Sequence, residues 1–493
     1  MEEAERDFYE ILGVPETATD EEIKRAYRAA ALRTHPDTRS EGVATTVFHE
    51  LQAAYAVLSD PARRNAYDRR RNEERQRNPQ PLAWEIMMSR SRMCVHHSSQ
   101  LLYALAEVHS RAEAQAARLP LNLCLVVDRS TSMHGARLEQ VKEAAHRIIA
   151  EMNDEDALAV VAFGDRAEVV WPLQSGFNRA VARSKVAAIQ TSGGTEILQG
   201  LQAGLAELER RGRRAAISHL VLLTDGQTYG DEAECVAAAQ RAGAQGIAIT
   251  AVGIGADWND NLLDEIAAHS GGVSAYAARP GQVVALLQQR MQALSMVVAQ
   301  KMTLTPRCVP GVQVEAAYRV SPTLGRLAVG QGPITLGPLQ ADVPLVVVLE
   351  LGIGPQPVGL RQLVRLELHA TLVAGETTRA VLRRNVSATF TLEEPPTEPV
   401  PTAIVRALGK ITLYRMQEQA WAALEAGDVK AATQRLRAVA TRLLDLGEEA
   451  LAQAALLEAG RIEQDGSSSA VGRKEIKYGT RHLELRPEES GHG

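Results

Sequence analysis

Two carboxylates and three hydroxyl groups stand beside apolar segments of the chain, where their oxygen atoms could bind a metal ion. The five residues are Asp128, Ser130, Ser132, Thr195 and Asp225. The first three occupy alternate positions directly after the largely apolar run 121–127, and the last follows a second such run, 218–224. Because all five donors are hard oxygen atoms, the set suits Mg²⁺ or Mn²⁺ better than zinc or copper.

The elements that must position these residues are short buried strands. Both apolar runs are too short to cross a membrane, and each is typical of a strand covered on both faces by helices. Strands alternate with helical segments from 119 to 298, which predicts a doubly wound, mainly parallel sheet. In such sheets ligands bind just outside the carboxyl ends of the strands, where Asp128 and Asp225 stand.

In their order and strand–loop context, the five residues resemble the metal-ion-dependent adhesion site of von Willebrand factor A (VWA) domains. The resemblance covers residues 119–298 and implies a bound divalent ion, Mg²⁺ first and Mn²⁺ or Ca²⁺ as alternatives. It also implies an open coordination position that an acidic side chain of a protein ligand fills. The rim residues expected to set specificity are Met133, His134, Glu196, Gln227 and Tyr229.

Other interpretations of these loops remain open. Counted from Asp128, positions 1, 3, 5 and 12 echo a calcium-binding EF-hand, but Met133 stands where that loop needs glycine. The Asp-Ser turn could instead cap the following helix. The pair Gly193-Gly194 could approach a phosphate, although no Lys-Ser or Lys-Thr pair follows it as in a Walker loop.

A second group of residues lies near the start of the chain. His35-Pro36-Asp37 follows a predicted helix over 21–33, which ends there because the residue before a proline disfavours the α region. One face of this helix is basic, and its residues are Lys24, Arg25, Arg28 and Arg33. Such a stripe can meet an acidic partner surface, and its charge steers encounter more than it supplies affinity.

With Asp7-Phe-Tyr-Glu-Ile-Leu-Gly13 and Ala54-Tyr-Ala-Val-Leu-Ser-Asp-Pro61, these residues resemble a J-domain over roughly 5–70. DnaJ-type co-chaperones use this module to engage DnaK-type heat-shock ATPases. The resemblance implies that His35-Pro36-Asp37 and the basic helix trigger ATP hydrolysis by the partner. Ala29 replaces a common basic residue and Thr34 a usual aromatic one, and both changes weaken the expected contact.

Composition bounds the remaining possibilities. A chain of 493 residues is too long for one core, so three or four domains are expected. A net charge of −6 gives no argument for nucleic acid. No secretory signal follows Met1, no segment has membrane-helix length, and the four cysteines are scattered singly. These features predict a cytoplasmic protein with neither a nucleic-acid nor a membrane partner.

The predicted fold is multidomain, with an α/β domain inserted into a β-sandwich. Alternating strands over 299–393 and two strands near 92–108 favour the sandwich. The predicted segments are an all-α J-domain (1–70), a linker (71–83), the first sandwich strands (84–118), the VWA domain (119–298), the rest of the sandwich (299–393), a Pro-rich linker (394–402), a C-terminal helical hairpin domain (403–465) and a polar tail (466–493). In the tail, 476–478 and 483–485 could add a strand or bind a partner.

Three functions are compatible with these features. The first is a co-chaperone adaptor that stimulates a DnaK-type ATPase while its VWA domain binds a protein client or complex. The second is a metal-dependent binding scaffold whose J-domain is inactive. The third is a metal-dependent hydrolase, which needs a general base such as His134 or Glu196 beside a metal-bound water. Since the spacing of these two fits no catalytic motif, we expect a protein that is not an enzyme.

Overall fold

The chain is described by a computed structural model. The described residues are 8–12, 14, 18–34, 43–77, 82–111, 119–210, 216–228, 230–279, 281–330, 332–373 and 379–483. Within these ranges no helix is long and apolar enough to cross a membrane.

The N-terminal unit is helical. Its helices are α1 (Phe8–Leu12), α2 (Asp20–Thr34), α3 (Val43–Leu58) and α4 (Pro61–Arg77). The start of α2 is fixed by a reciprocal capping box, in which the Glu22 amide donates to the Thr19 hydroxyl and the Thr19 amide donates to the Glu22 carboxylate. Ile23 on α2 packs with Leu51 and Leu58 of α3 in one small apolar core.

Three strands come next in the chain: β1 (Leu82–Met88), β2 (Arg92–Cys94) and β3 (Gln100–Ser110). The predicted linker over 71–83 is wrong at both ends. Helix α4 continues to Arg77 and β1 begins at Leu82, where Leu82 and Trp84 are buried and pair across to β3. The short alternation of buried and exposed residues in β1 was too weak a pattern to mark a strand.

The α/β domain follows. Its elements are β4 (Leu121–Asp128), α5 (Ala136–Glu151), β5 (Ala157–Phe163), β6 (Ala167–Ser175), α6 (Arg179–Ala187), α7 (Ile197–Arg210), β7 (Ile217–Thr224), α8 (Glu232–Gln245), β8 (Ala248–Ile254), α9 (Asp260–Ser270), β9 (Val273–Ala277) and α10 (Gln282–Ser295). The sheet order is β6-β5-β4-β7-β8-β9, parallel except for the edge strand β6. Every residue of β4 is buried, because helices cover both faces and each face has its own apolar core.

Seven further strands complete a two-sheet unit: β10 (Val297–Cys308), β11 (Val312–Ser321), β12 (Gly325–Leu327), β13 (Ile334–Gln340), β14 (Leu345–Ile353), β15 (Gly359–Leu372) and β16 (Arg379–Thr391). One sheet has the order β1-β3-β14-β11-β12 and the other β13-β10-β15-β16-β2, and both contribute to one apolar core. Since β3 pairs with β14, strands from before and after the α/β domain lie side by side. The predicted strands near 92–108 enter different sheets, because β2 pairs with β16.

The C-terminal unit is helical: α11 (Thr402–Glu425), α12 (Val429–Asp445), α13 (Glu449–Asp465) and α14 (Ala470–Gly479). Gly427 and Gly447 have positive φ and separate the first three helices at the predicted breaks. The predicted polar tail over 466–493 is wrong for its first part, because residues 470–479 form a helix with Ile476 and Tyr478 buried. Residues 476–478 are therefore helical, and 484–485 lie outside the described residues.

Candidate functional site

Two buried aspartates meet at one edge of the α/β sheet. Asp128 ends β4, and Asp225 directly follows β7, the neighbouring strand in the sheet. Parallel neighbours end at the same edge, so the two carboxylates face one region even though they are far apart in sequence. Both residues are almost completely buried, with 0% and 1% exposure.

The Asp128 carboxylate is held by two donors from the ends of the strands. One oxygen accepts a hydrogen bond from the Ser130 amide at 2.8 Å, and the other accepts from the Thr224 hydroxyl at 2.6 Å. Burial raises the pKa of Asp128, the hydrogen bonds from Thr224 and Ser130 oppose this rise, and the nearby Asp225 charge adds to it. The net direction is upward, because the desolvation of the buried carboxylate outweighs its hydrogen bonds.

The serine hydroxyls connect the two aspartates. The Ser132 hydroxyl donates to one Asp225 oxygen at 2.7 Å, and the Ser130 and Ser132 oxygens lie 2.9 Å apart. Ser130 is buried whereas Ser132 is exposed, so the cluster opens to solvent at Ser132.

Thr195 approaches the same cluster from the loop before α7. Its hydroxyl lies against Gly226, where an added Cβ would come within 2.7 Å of the Thr195 oxygen. The loop is fastened by the Ser192 amide, which donates to the Arg129 carbonyl at 2.7 Å, and by the Gly194 amide, which donates to the Asp165 carboxylate at 2.7 Å. The structure therefore brings all five predicted ligand residues to one edge of the sheet.

Arg137, in the first turn of α5, is a charged residue of this site that the sequence interpretation missed. Its guanidinium donates to the second carboxylate oxygen of Asp225 and to the Ser132 carbonyl at 3.3 Å. Its position five residues after Ser132 was the available signal, because the first turn of the following helix must lie beside the loop. Asp225 consequently has a partner on each of its oxygens.

The predicted rim is partly different in the structure. His134, Glu196 and Gln227 are exposed. Met133 is not a rim residue, because it is fully buried and belongs to the apolar core under α5. The short 3-10 turn over Thr131–Met133 points it inward, and Tyr229 lies outside the described residues.

The donor set fits a hard divalent cation. It consists of oxygen atoms alone, from two carboxylates and three hydroxyls, and such atoms are the usual ligands of Mg²⁺. Across the described part of the chain, no group of three or more His, Cys, Asp or Glu side chains is arranged to hold a metal. Any metal at this edge therefore depends on the hydroxyls as well as the two aspartates.

Comparisons with known proteins agree with this organisation. The DnaJ domain family matches residues 7–68, the von Willebrand factor type A domain family matches 122–289, and the Sll0103-like, C-terminal alpha-helical domain family matches 402–486. The uncharacterized protein sll0103 of Synechocystis is 30% identical over 341 residues, which are 68% of this chain and 81% of that protein. The chain belongs to the Sll0103-like family. The predicted J-domain and VWA domain are confirmed, and the C-terminal match includes α14.

Two further relatives show what this Sll0103-like chain shares with other proteins. The chaperone protein DnaJ of Janthinobacterium is 55% identical over 67 residues, which are 13% of this chain and 18% of that protein. The solved von Willebrand factor type A protein from Catenulispora acidiphila has a TM-score of 0.67 and 19% identity, and the match covers 82% of this chain and 96% of that one. The second likeness shows a shared fold that extends well beyond the VWA domain.

The J-domain of this Sll0103-like chain exposes its basic face. Lys24, Arg25 and Arg28 are exposed on α2, whereas Tyr27 turns inward and stacks on Tyr55 of α3 with ring centroids 4.1 Å apart. Arg33 lies in α2, but its side chain is not among those described. His35, Pro36 and Asp37 lie outside the described residues.

Three residues of α4, Arg64, Tyr67 and Asp68, have a structural role in this domain. The Arg64 guanidinium donates to the Tyr9 hydroxyl at 2.8 Å and to the Ala18 carbonyl at 2.8 Å. The Tyr9 hydroxyl in turn donates to Asp68 at 2.9 Å, and Phe8 stacks on Tyr67. These contacts fasten α4 to the start of α1.

The Sll0103-like C-terminal domain is docked on the VWA domain through α14 and the 3-10 turn Thr480–His482 that follows it. Lys477 contacts Asp260 at 2.6 Å and Asp264 at 2.9 Å, and Arg481 makes two hydrogen bonds to Asp264 at 2.6 and 2.8 Å. Burial raises the pKa of Asp264, but the charges and hydrogen bonds of Arg481 and Lys477 outweigh it and hold that pKa well below its ordinary value. Sequence patterns could not reveal this junction, because its partners are more than 200 residues apart.

Proposed function

We propose that the protein is a J-domain adaptor that couples a cytoplasmic DnaK-type ATPase to a protein ligand bound at the metal-site edge of its VWA domain. The observation that carries the proposal is the pair of buried aspartates beneath the exposed Ser132, at an edge that opens to solvent. Because the J-domain lies on the same chain, a ligand bound at this edge would be brought to the DnaK-type ATPase. The proposed role is binding rather than catalysis.

The J-domain supports the first half of the proposal. Its relatives include proteins named chaperone protein DnaJ, with 55% identity to the Janthinobacterium protein over the matched residues. Lys24, Arg25 and Arg28 present positive charge to solvent, which suits an acidic surface on the ATPase. His35, Pro36, Asp37 and Arg33 complete the proposed contact.

The oxygen cluster supports the second half. Asp128, Ser130, Ser132, Thr195 and Asp225 would hold the ion, which we propose to be Mg²⁺. When bound, the ion supplies an electrophilic position that an acidic side chain of the ligand can fill. His134, Glu196 and Gln227 are exposed around the cluster and would contact the rest of that ligand.

The proposal is tested by single-turnover ATP hydrolysis with a DnaK-type protein from the same organism. We expect the intact chain to accelerate hydrolysis at least several-fold, and His35→Gln to abolish the acceleration. His97→Gln is the matched control, because it makes the same change at an exposed position of the two-sheet unit. Equal rates with and without the intact chain would remove the co-chaperone role and leave a metal-dependent scaffold.

The ligand half is tested in the same preparations by affinity capture with Mg²⁺ or with a chelator. Asp128→Asn keeps the size of the side chain while removing the charge needed for the ion. We expect one set of partners to be lost both on chelation and with Asp128→Asn. Partner sets that are identical under all conditions would refute metal-dependent binding.

A further inference from the structure

Arg137 is a cation inside the proposed metal site, and its contacts give it a role there. Its guanidinium contacts Asp225 and the Ser132 carbonyl, whereas Asp225 has a completely buried side chain. The Arg137 side chain keeps 32% of its surface exposed and is attached to the first turn of α5. It therefore has a path to solvent that the aspartate lacks.

The charges of the cluster are incompletely balanced. Asp128 and Asp225 together bring two negative charges to the edge of the sheet, and among the described contacts Arg137 is the cation at this edge, where it contacts Asp225. Buried carboxylates require pairing or hydrogen bonding. Without a metal, Arg137 supplies that pairing for Asp225, while Asp128 depends on hydrogen bonds from Ser130 and Thr224.

Both oxygens of Asp225 are occupied in this arrangement. One accepts the Ser132 proton and the other accepts from Arg137. A metal ion that binds through Asp225 meets either a serine that must turn its proton away or a guanidinium that must retreat. Even where Arg137 keeps its contact, its positive charge opposes that of the incoming ion.

We propose that Arg137 is a built-in competitor of the divalent ion: it pairs with Asp225 when the metal is absent and lowers the affinity of the site for metal. This inference rests on the proposed metal site and adds the residue that sets its affinity. A site with lowered metal affinity can exchange its ion. Because Arg137 neutralises part of the Asp225 charge, the bound ion keeps more positive charge to attract an acidic side chain from a ligand. Arg137 is thus a positioning and affinity-setting residue.

The test compares Arg137→Gln with the full-length wild-type chain, using Mn²⁺ as the probe. We expect the Mn²⁺ dissociation constant to fall roughly tenfold, because a unit charge near a divalent ion is removed. The melting temperature in chelator should fall by a few degrees, because Asp225 loses its cation. The increase in melting temperature on adding Mn²⁺ should grow in the variant, as linkage requires for tighter binding to the folded state.

Two further variants separate this role from a general effect. Arg147→Gln removes the same charge from the same helix, where Arg147 forms an exposed ion pair with Glu143. It should change neither the Mn²⁺ dissociation constant nor the melting temperature with or without Mn²⁺. Arg137→Lys keeps the charge and should restore the weaker Mn²⁺ binding of the wild type.

The outcomes are distinguishable. Wild-type protein that binds Mn²⁺, with equal or weaker binding by Arg137→Gln, overturns the inference and leaves the proposed metal site intact. Wild-type protein that binds no Mn²⁺ overturns the proposed metal site itself.

Discussion

Two pairs of largely buried aspartates in this molecule, one at the metal-site edge and one beneath α14, differ in how their charge is balanced. At the edge, Arg137 is the one cation among the described contacts; it pairs with Asp225 and remains about one-third exposed. The hydrogen bonds to Asp128 come from an amide and a hydroxyl and bring no charge. This pair is short of positive charge and open to solvent.

The pair beneath α14 is balanced. Asp260 and Asp264 face Lys477 and Arg481, whose side chains are 1% and 5% exposed. The hydroxyls of Tyr478 and Ser274 add hydrogen bonds to Asp264. Here each of the two aspartates contacts a cation, and both cations are nearly closed to solvent.

The difference separates a structural junction from a binding site. A buried carboxylate that already pairs with a cation gains little from a further ligand, and removing one partner of the pair lowers the stability of the folded protein. A buried anion pair with too little positive charge gains from a cation that arrives from solution. The same residue type therefore has opposite uses at two edges of one domain, and charge balance rather than burial identifies which is which.

The largest effect is expected when the matched pair is broken. In Asp264→Ala the two nearly buried cations Lys477 and Arg481 lose the carboxylate that both contact, and Lys477 keeps its contact with Asp260. We expect the free energy for opening α14 to fall by about 3–5 kcal/mol, measured by hydrogen exchange of its amides.

The control for this prediction is an ion pair of the same chemistry at the surface. Arg437 and Glu463 contact each other at 2.6 Å with side chains 52% and 55% exposed. Glu463→Ala should cost less than about 1 kcal/mol. If the two substitutions cost the same, the matched pair would contribute no more than a surface contact.

The second prediction uses pH. Because Asp264 has a lowered pKa in the folded protein, its stabilising contribution is present above its ordinary value of 3.8 and is lost as pH falls below that value toward the folded pKa. Wild type and Asp264→Asn should therefore differ in stability by a constant amount from pH 7 to about pH 5. Below about pH 4 the difference should shrink by up to about 1.4 kcal/mol per pH unit.

Urea titrations followed by tryptophan fluorescence would measure this difference, since Trp258 packs against Tyr478 of α14 with ring centroids 5.6 Å apart. The charged and titratable groups that interact with Asp264 are Asp260, Glu418, Tyr414, Tyr478, Lys477 and Arg481. A difference that persists unchanged to pH 2 would mean that the Asp264 charge does not stabilise the junction.

The two regions also differ in what the sequence could reveal. The metal-site edge was predictable because each residue follows a strand end or lies in a glycine-rich loop, and parallel strands bring their ends together whatever the loops between them do. The α14 junction was not, since a short segment with Lys474, Lys477 and Arg481 has the same composition as a solvated tail. Only the packed fold shows that Asp260 and Asp264 lie opposite.

Local errors at the site have the same origin. Met133 lies in the loop of the ligand residues, and its inward direction depends on a single 3-10 turn that residue spacing does not specify. Arg137 was overlooked because its place beside the loop does not specify that its side chain reaches Asp225, 88 residues away. The types and order of the ligand residues can be predicted from the sequence, whereas side-chain direction and charge balance depend on how the chain packs.

The smallest effect is expected from adding one methyl group at the metal-site edge. In Gly226→Ala the new Cβ would lie 2.7 Å from the Thr195 hydroxyl, so Thr195 must shift while both aspartates stay in place. We expect Mn²⁺ affinity to fall several-fold, with a stability cost of about 1 kcal/mol, the low end for overpacking. Titration calorimetry measures the Mn²⁺ affinity, and thermal melts measure the stability.

Gly325→Ala is the matched control, because its Cβ would meet no atom within 4 Å. Unchanged Mn²⁺ affinity in Gly226→Ala would show that Thr195 is not a ligand, and the open pair would then bind its ion through the two aspartates and the serines.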